Sequence, residues 1–366
     1  MTISHCIENQ YTQDLPFVIY RKPNATQLLG FVQSDRTSYH PNAVNNAGFV
    51  FAPFSNTHPS MLIPGEQPIR LEADLSPSPE IVFKAPQSVS QRQEYLDLVD
   101  KAIAAINTSD LQKVVLSRKQ NVPHQKSISQ LLHDLLAVYP SAFVYCWYHP
   151  KTGLWMGATP ERLLSQKYQT ITTMSLAGTQ PYQDTTAVDW GAKEREEQQL
   201  VTNAIVSRLA PWVENIEVGE LHTHRAGKLL HLKTDIKARL LEDGASISDI
   251  LAALHPTPAV CGLPRAWAKD FILQYEAYDR KYYTGYLGEL RVTQDVSRAR
   301  HRKNVENLAY TARQTQSDLF VNLRCMEVEK KMAKVYVGGG ITAASIAENE
   351  WMETLHKLST MGRVLT

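Results

Sequence analysis

Glu194 with Glu197 and Glu350 with Glu353 form two acidic pairs, each spaced by three residues in a segment that reads as helix. That spacing puts both carboxylates of a pair on one helix face. Glu353 has Lys357 one turn further on, and Glu197 lies one turn before Leu200 and Val201, toward the apolar side of its helix. The run Gly338-Gly339-Gly340 ends a strand ahead of the second helix, where bare backbone N–H groups can face an anion. Four carboxylates converging near glycine amides suit a hard cation that holds an anionic ligand. Di-iron bundles use two Glu-x-x-His motifs and this chain has one, Glu353 with His356, so oxygen-only coordination of Mg²⁺ is the metal reading. Taken singly, each pair also fits a solvated helix face, Glu353 with Lys357 a weak surface pair, and the glycines a plain turn.

Three further side chains carry alternatives of the same kind. Arg324 stands in the apolar run Leu319–Met326, which reads as a strand with Phe320, Asn322, Arg324 and Met326 on one face. A guanidinium there needs a carboxylate or phosphate, either as a bidentate ligand site or as an internal ion pair. Lys113 begins an apolar strand, where lysine is ordinarily an edge gatekeeper. Buried, it would become available as a general base. Glu161 follows Gly157-Ala158-Thr159-Pro160 and is either a turn carboxylate or, in an apolar pocket, an acid that keeps its proton. His222, His224 and His231 cluster without metal-ligand spacing, and His222 and His224 are assigned no function.

The elements that must position these residues mix helices and antiparallel strands without strict alternation, which points to an α+β fold. Residues 1–86 read as short strands (17–21, 27–33, 48–54), followed by a proline-rich stretch from Pro64 to Pro86 over the surface. Ser90 with Gln93 reads as a capping box opening a helix striped by Leu96, Val99, Ala102, Ile103 and Ile106. Strands at 142–148, 153–157, 162–166 and 170–176 suggest one antiparallel meander. Pro264 suits the first turn of a helix, and 319–328 reads as a single strand. The chain has 366 residues, 43% of them hydrophobic and 20% charged, with a net charge of +1. That balance argues against nucleic acid or an acidic membrane surface as partner. The start lacks an apolar signal core and no apolar run is long enough to span a bilayer. Cys6, Cys146, Cys261 and Cys325 lack paired spacing and read as free thiols of a cytoplasmic protein.

In order and spacing, the chain from about residue 90 to 361 resembles the chorismate-utilising enzymes, and within them the isochorismate synthases. The segments that carry the resemblance are Lys113–Arg118, Gly157-Ala158-Thr159-Pro160-Glu161-Arg162-Leu163, Leu176-Ala177-Gly178-Thr179 and Lys193–Glu197. They continue with Leu254-His255-Pro256-Thr257-Pro258-Ala259-Val260-Cys261-Gly262, Tyr283–Gly288, Val321–Cys325, Gly338–Ile341 and Glu350–Thr354. The resemblance implies two facing antiparallel sheets flanked by outer helices (α/β/β/α layers). Residues 1–86 would add strands to a chorismate-binding region at 87–366, one large domain overall. It implies chorismate as substrate and Mg²⁺ as cofactor, with Glu197 and Glu353 as metal ligands supported by Glu194 and Glu350. Arg324 and the amides at Gly338, Gly339 and Gly340 would hold the enolpyruvyl carboxylate, Lys357 would lie close to the bound anion, and Gly178, Thr179 and His231 would contact substrate. Lys113 matches the base that activates water for attack on the second ring carbon, and Glu161 the acid at the fourth.

Ammonia-using relatives have Gln at the position of Lys113, so no amidotransferase subunit is expected, and the chain is read as a monomer. Salicylate synthases keep the lysine but have Thr where this chain has Ala253; the alanine favours stopping at isochorismate. Menaquinone synthesis is the expected destination of the product, with a siderophore pathway as the alternative. Outside enzymes, the same acidic pairs could serve a metal- or anion-binding module.

Overall fold

The computed structural model describes residues 2–42, 46–72, 83–86, 88–241, 245–297 and 311–366. The N-terminal part contains α1 (Ile3–Thr12), β1 (Phe17–Arg21), β2 (Leu28–Val32), β3 (Gly48–Ala52), β4 (Met61–Pro64) and β5 (Ile69–Leu71). Then come α2 (Val89–Thr108), β6 (Lys113–Pro123), α3 (Ile128–Val138), β7 (Phe143–His149), β8 (Gly153–Thr159), β9 (Arg162–Lys167) and β10 (Thr170–Pro181). The middle of the chain forms α4 (Ala192–Leu209), β11 (Val213–Val218), β12 (His222–Ala226), β13 (Leu229–Leu240), α5 (Ile247–Leu254), β14 (Gly262–Leu263) and α6 (Arg265–Tyr275). The last elements are β15 (Tyr286–Ser297), β16 (Thr311–Val321), β17 (Cys325–Glu329), β18 (Met332–Ile341) and α7 (Ala347–Leu365).

The strands build two antiparallel sheets of nine. One runs β14-β6-β18-β17-β8-β7-β1-β2-β5; the other runs β11-β13-β10-β9-β16-β15-β3-β4, with β12 added on β13. Successive side chains of a strand point to opposite faces, and β1 shows the consequence. Phe17 and Ile19 join the outer core under α1, α3 and α7, while Val18 and Tyr20 join an aromatic layer between the sheets. That layer includes Phe49, Phe51, Phe143, Tyr145, Trp147, Trp155 and Phe320, all buried. On the second sheet α4 and α5 cover the outer face through Val201, Ile205, Leu209, Ile250 and Leu254. The result is the α/β/β/α order expected for an α+β fold. Among the described residues no helix is long and apolar enough to cross a membrane.

Several local expectations give way. The strands at 142–176 are not one meander: β7–β8 belongs to the first sheet and β9–β10 to the second. The 319–328 strand is also split, because β16 lies in the second sheet and β17 in the first. Buried strands alternate in the same way whichever sheet they join, so periodicity could not show either crossing. Gly338–Gly340 is not a turn; it lies within β18, opposite Ser117, Leu116 and Val115 of β6. The cap of α2 is Ser88, whose hydroxyl accepts from the Gln91 N–H, rather than Ser90. Pro264 is the cap of α6 and not its first helical residue. The stripe Ile3, Cys6, Ile7 and Gln10 makes α1 a helix where none was expected, opened by the Thr2 hydroxyl. Pro77 and Pro79 of the expected surface stretch lie outside the described residues.

Candidate active site

The two sheet crossings, β8 to β9 and β16 to β17, hydrogen-bond to each other. The Val321 N–H donates to Glu161 O at 2.9 Å, the Ala158 N–H to Arg324 O at 3.0 Å, and the Thr159 hydroxyl to Val321 O at 2.7 Å. Glu161 and Arg324 therefore sit where a chain leaves one sheet for the other, and both line the same cavity. Arg324 adopts a left-handed φ of 47° to make its crossing, a conformation that costs a non-glycine residue energy and accumulates at functional positions.

The other walls come from β10, β13, α4, β18 and α7. Gly178, at φ 70°, makes a bulge in β10 beside Thr179 and accepts from His231 Nδ1 at 2.8 Å. Burial lowers the His231 pKa well below the usual range, and the neighbouring Arg324 lowers it further. The imidazole is thus neutral, donating from Nδ1 to the Gly178 carbonyl and accepting at Nε2 from Arg324 Nη2, 3.1 Å away. Arg324 Nη1 donates to the Thr360 hydroxyl at 3.1 Å. The guanidinium is aimed by neutral groups, and among the described residues no carboxylate forms the internal ion pair considered from sequence.

Glu194, Glu197, Glu350 and Glu353 all line this cavity. A Cβ on Gly340 would lie 2.7 Å from Glu197 Oε1, and one on Gly339 would lie 3.3 Å from Glu350 Oε2 and 3.7 Å from Glu353 Oε1. The glycines thus clear space beneath the carboxylates. Lysines stand on three of the four: Lys113 Nζ on Glu197 at 2.8 Å, Lys193 Nζ on Glu350 at 3.2 Å and Lys357 Nζ on Glu353 at 2.5 Å. Lys357 also donates to Gly338 O at 2.9 Å, so one of the glycine carbonyls is already bound. Burial and the adjacent Glu353 raise the Glu350 pKa. Burial pushes Glu353 upward too, but Lys357 outweighs it and holds the carboxyl below its ordinary value. Among the described residues no three His, Cys, Asp or Glu groups stand close enough together, as placed, to enclose a metal ion.

Lys113 is 1% exposed and is no edge gatekeeper, since β14 pairs along the outside of β6. It does not itself line the cavity; its amine lies behind Gly340 and reaches the cavity floor through Glu197. Glu161 is 2% exposed. Burial pushes its pKa up to about 8, against the lowering effects of the Thr257 hydroxyl, Lys113 and Arg324. Thr257 Oγ1 sits 3.4 Å from Glu161 Oε1. Ala253 is the one proposed substrate contact that the fold places elsewhere. It lies on α5, its carbonyl accepts from Arg265, and it is absent from the cavity wall; Ala259 of the following loop lines it instead. Sequence reasoning also passed over Lys193, Tyr283 and Thr257. The spacing of Lys193 and Glu197, one helical turn, was the available signal for the first.

Residues 66–296 match the family model described as chorismate binding enzyme, and residues 308–363 match a second model of that description. Isochorismate synthase DhbC of Bacillus subtilis is 28% identical over 295 residues, covering 76% of this chain and 69% of that protein. In two other relatives the matched stretch covers 59% and 62% of their own length. The crystal structure described as the 2,3-dihydroxybenzoate-specific isochorismate synthase DhbC of Bacillus anthracis superposes with a TM-score of 0.76 at 25% identity, covering 99% of both chains. The menaquinone-specific isochorismate synthase MenF of Escherichia coli shares the fold, with a TM-score of 0.75 at 21% identity over 96% of this chain and 89% of that one. The chain belongs to the chorismate-binding enzymes.

Proposed function

We propose that this protein isomerises chorismate to isochorismate with the aid of Mg²⁺. One arrangement carries the reading: the carboxylic acid Glu161 lines a cavity that also presents Arg324 and four carboxylates, and the buried amine of Lys113 stands behind its floor on Glu197. The relatives named isochorismate synthase support it. Residues 1–86 are read as part of the same domain as 87–366, since β1, β2 and β5 extend one sheet and β3 and β4 the other.

The acidic residues fit a hard divalent cation, because they supply only carboxylate oxygens, with Glu350 and Glu353 over Gly339 and Glu197 over the adjacent Gly340. Glu197 and Glu353 would hold it, with Glu194 and Glu350 orienting them. Bound there, Mg²⁺ would neutralise substrate carboxylate charge and fix the ring. Arg324, with the backbone at Gly338–Gly340 and with Lys357 nearby, is read as the holder of the enolpyruvyl carboxylate. His231 keeps the guanidinium fork aimed, and Gly178 and Thr179 bound the ring. The Lys113 amine takes a proton from water while the water oxygen bonds to ring C2. Glu161 gives its proton to the C4 hydroxyl, which leaves as water as the ring double bonds shift. One water enters and one departs, so product mass equals substrate mass. Each proton transfer contributes ~100- to 10,000-fold.

Incubation with chorismate and Mg²⁺ tests this reading. A product of unchanged mass is expected. Stoichiometric pyruvate would instead assign a salicylate synthase or other lyase, and ligand-dependent stabilisation without turnover a binding module. We read the enzyme as a cytoplasmic monomer without an amidotransferase partner, feeding menaquinone synthesis. Complementation of menaquinone-deficient cells, but not of siderophore-deficient ones, is the expected outcome.

A further inference from the structure

Behind the cavity wall lies a buried ion pair that the proposed chemistry does not use. Arg280 is 3% exposed and Glu276 9%. Nε and Nη2 of Arg280 reach the two Glu276 oxygens at 2.7 and 2.5 Å. The remaining donors go to Val260 O at 3.0 Å, Thr284 Oγ1 at 3.2 Å and Val115 O at 2.6 Å. Five guanidinium N–H groups thus meet five acceptors, the full capacity of the side chain. The guanidinium also lies over the Phe54 ring, 4.7 Å from its centroid.

These contacts complete an unfinished sheet edge. β14 pairs β6 only at Lys113 and Val114. Beyond that point the Val115 N–H donates to Cys261 O at 2.8 Å, while Arg280 takes the Val115 carbonyl. Glu276 Oε1 then accepts from the Ser117 N–H at 2.7 Å and its hydroxyl at 2.9 Å. Two side chains therefore do for β6 what a neighbouring strand would do, on the strand that carries Lys113. The third arm of the clamp, at Val260, holds the loop whose Thr257 meets Glu161; the Val260 and Cys261 N–H groups close that loop on Thr257 O. A buried ion pair is weak evidence for stability as such, because well-packed apolar side chains often replace one without loss. What it supplies here is a fixed geometry.

We propose that Arg280, gripped by Glu276, is a positioning residue for catalysis: it locks the strand bearing Lys113 to the loop that holds Glu161 and so sets the separation of base and acid. The proposal rests on the isomerase reading. Its test compares full-length wild type, Arg280→Lys and Glu276→Gln with chorismate and Mg²⁺, resolving kcat from KM well below each variant's own unfolding temperature. Arg280→Lys keeps the charge on Glu276 but cannot reach Val115 and Val260 together. A misplacement of about 1 Å costs ~100-fold, so kcat falls by that order while KM stays within about 3-fold. Glu276→Gln loosens the same grip from the other side and falls in the same direction. Unchanged kcat in the folded variants, or a loss confined to KM, would overturn the proposal. So would failure of both variants to fold, which would assign the pair to stability alone. An inactive wild type would sink the isomerase reading itself, a separable result.

Discussion

Replacing Glu161 by glutamine separates two consequences of burying a carboxylic acid. The side chain is 2% exposed, and burial drives its pKa from 4.5 to about 8 despite Thr257, Lys113 and Arg324 nearby. That rise corresponds to about 5 kcal/mol of preference for the neutral form, an order-of-magnitude figure. The folded protein therefore keeps a proton that the unfolded chain releases above about pH 4.5. Stability linked to this proton is present below that pH and is lost as pH climbs toward about 8, because the folded state binds more protons than the unfolded one across the window. Glutamine has no such proton, so Glu161→Gln should gain on wild type by up to about 5 kcal/mol between about pH 4.5 and 9, read by urea denaturation at several pH values. Catalysis moves the other way. Only the protonated acid can donate to the leaving hydroxyl, so wild-type kcat should fall above about pH 8, and the variant should lose ~100- to 10,000-fold at every pH. A stability gap that does not vary with pH would refute the burial argument. Turnover of chorismate by Glu161→Gln within about 3-fold of wild type would refute the assignment as acid.

Lys113→Ala should lower turnover by ~100- to 10,000-fold while leaving a cooperative melt, and near-normal isochorismate formation would remove it as base. Gly340→Ala should nearly abolish activity in a folded protein, since the new methyl would stand 2.7 Å from Glu197 Oε1 and 3.0 Å from Lys113 Cε; full activity would show that this floor can move aside. Titration calorimetry with Mg²⁺ should show binding that weakens ~10- to 100-fold in Glu194→Gln and Glu350→Gln, and further in Glu197→Gln and Glu353→Gln. Equal metal affinity in all four would count against the carboxylate cluster. Arg324→Lys loses the planar fork and its bond to His231, at about 1.5–3 kcal/mol for a charge-assisted contact, or roughly 10- to 100-fold in KM. An unaltered KM would place the substrate carboxylate elsewhere.

Much of the site was legible because local spacing carries it. The pairs Glu194–Glu197 and Glu350–Glu353 follow from helical geometry, and the run of glycines from the need for an unobstructed backbone. Neither Lys113 nor Glu161 could be separated by sequence from an ordinary gatekeeper or turn residue. Burial, a property of the whole packing around a residue, is what sets both apart from an exposed gatekeeper or turn residue. Ala253 shows the limit from the other side: six residues along the chain, Ala259 faces the cavity while Ala253 faces Arg265.

By itself the sequence determined most of the local alphabet: where the longer helices and most strands lie, which faces are apolar, and which side chains can hold a proton or a cation. Assignment of strands to sheets was beyond it, because a strand buried on both faces alternates identically in either layer. The tertiary structure decided that the chain changes sheets at Pro160–Glu161 and again at Asn322–Arg324, and that these two crossings bond to each other. Chemistry-bearing residues from remote segments meet there because crossing chains cannot continue their own ladders. Their backbone groups must find partners across the gap, and their side chains are left facing it.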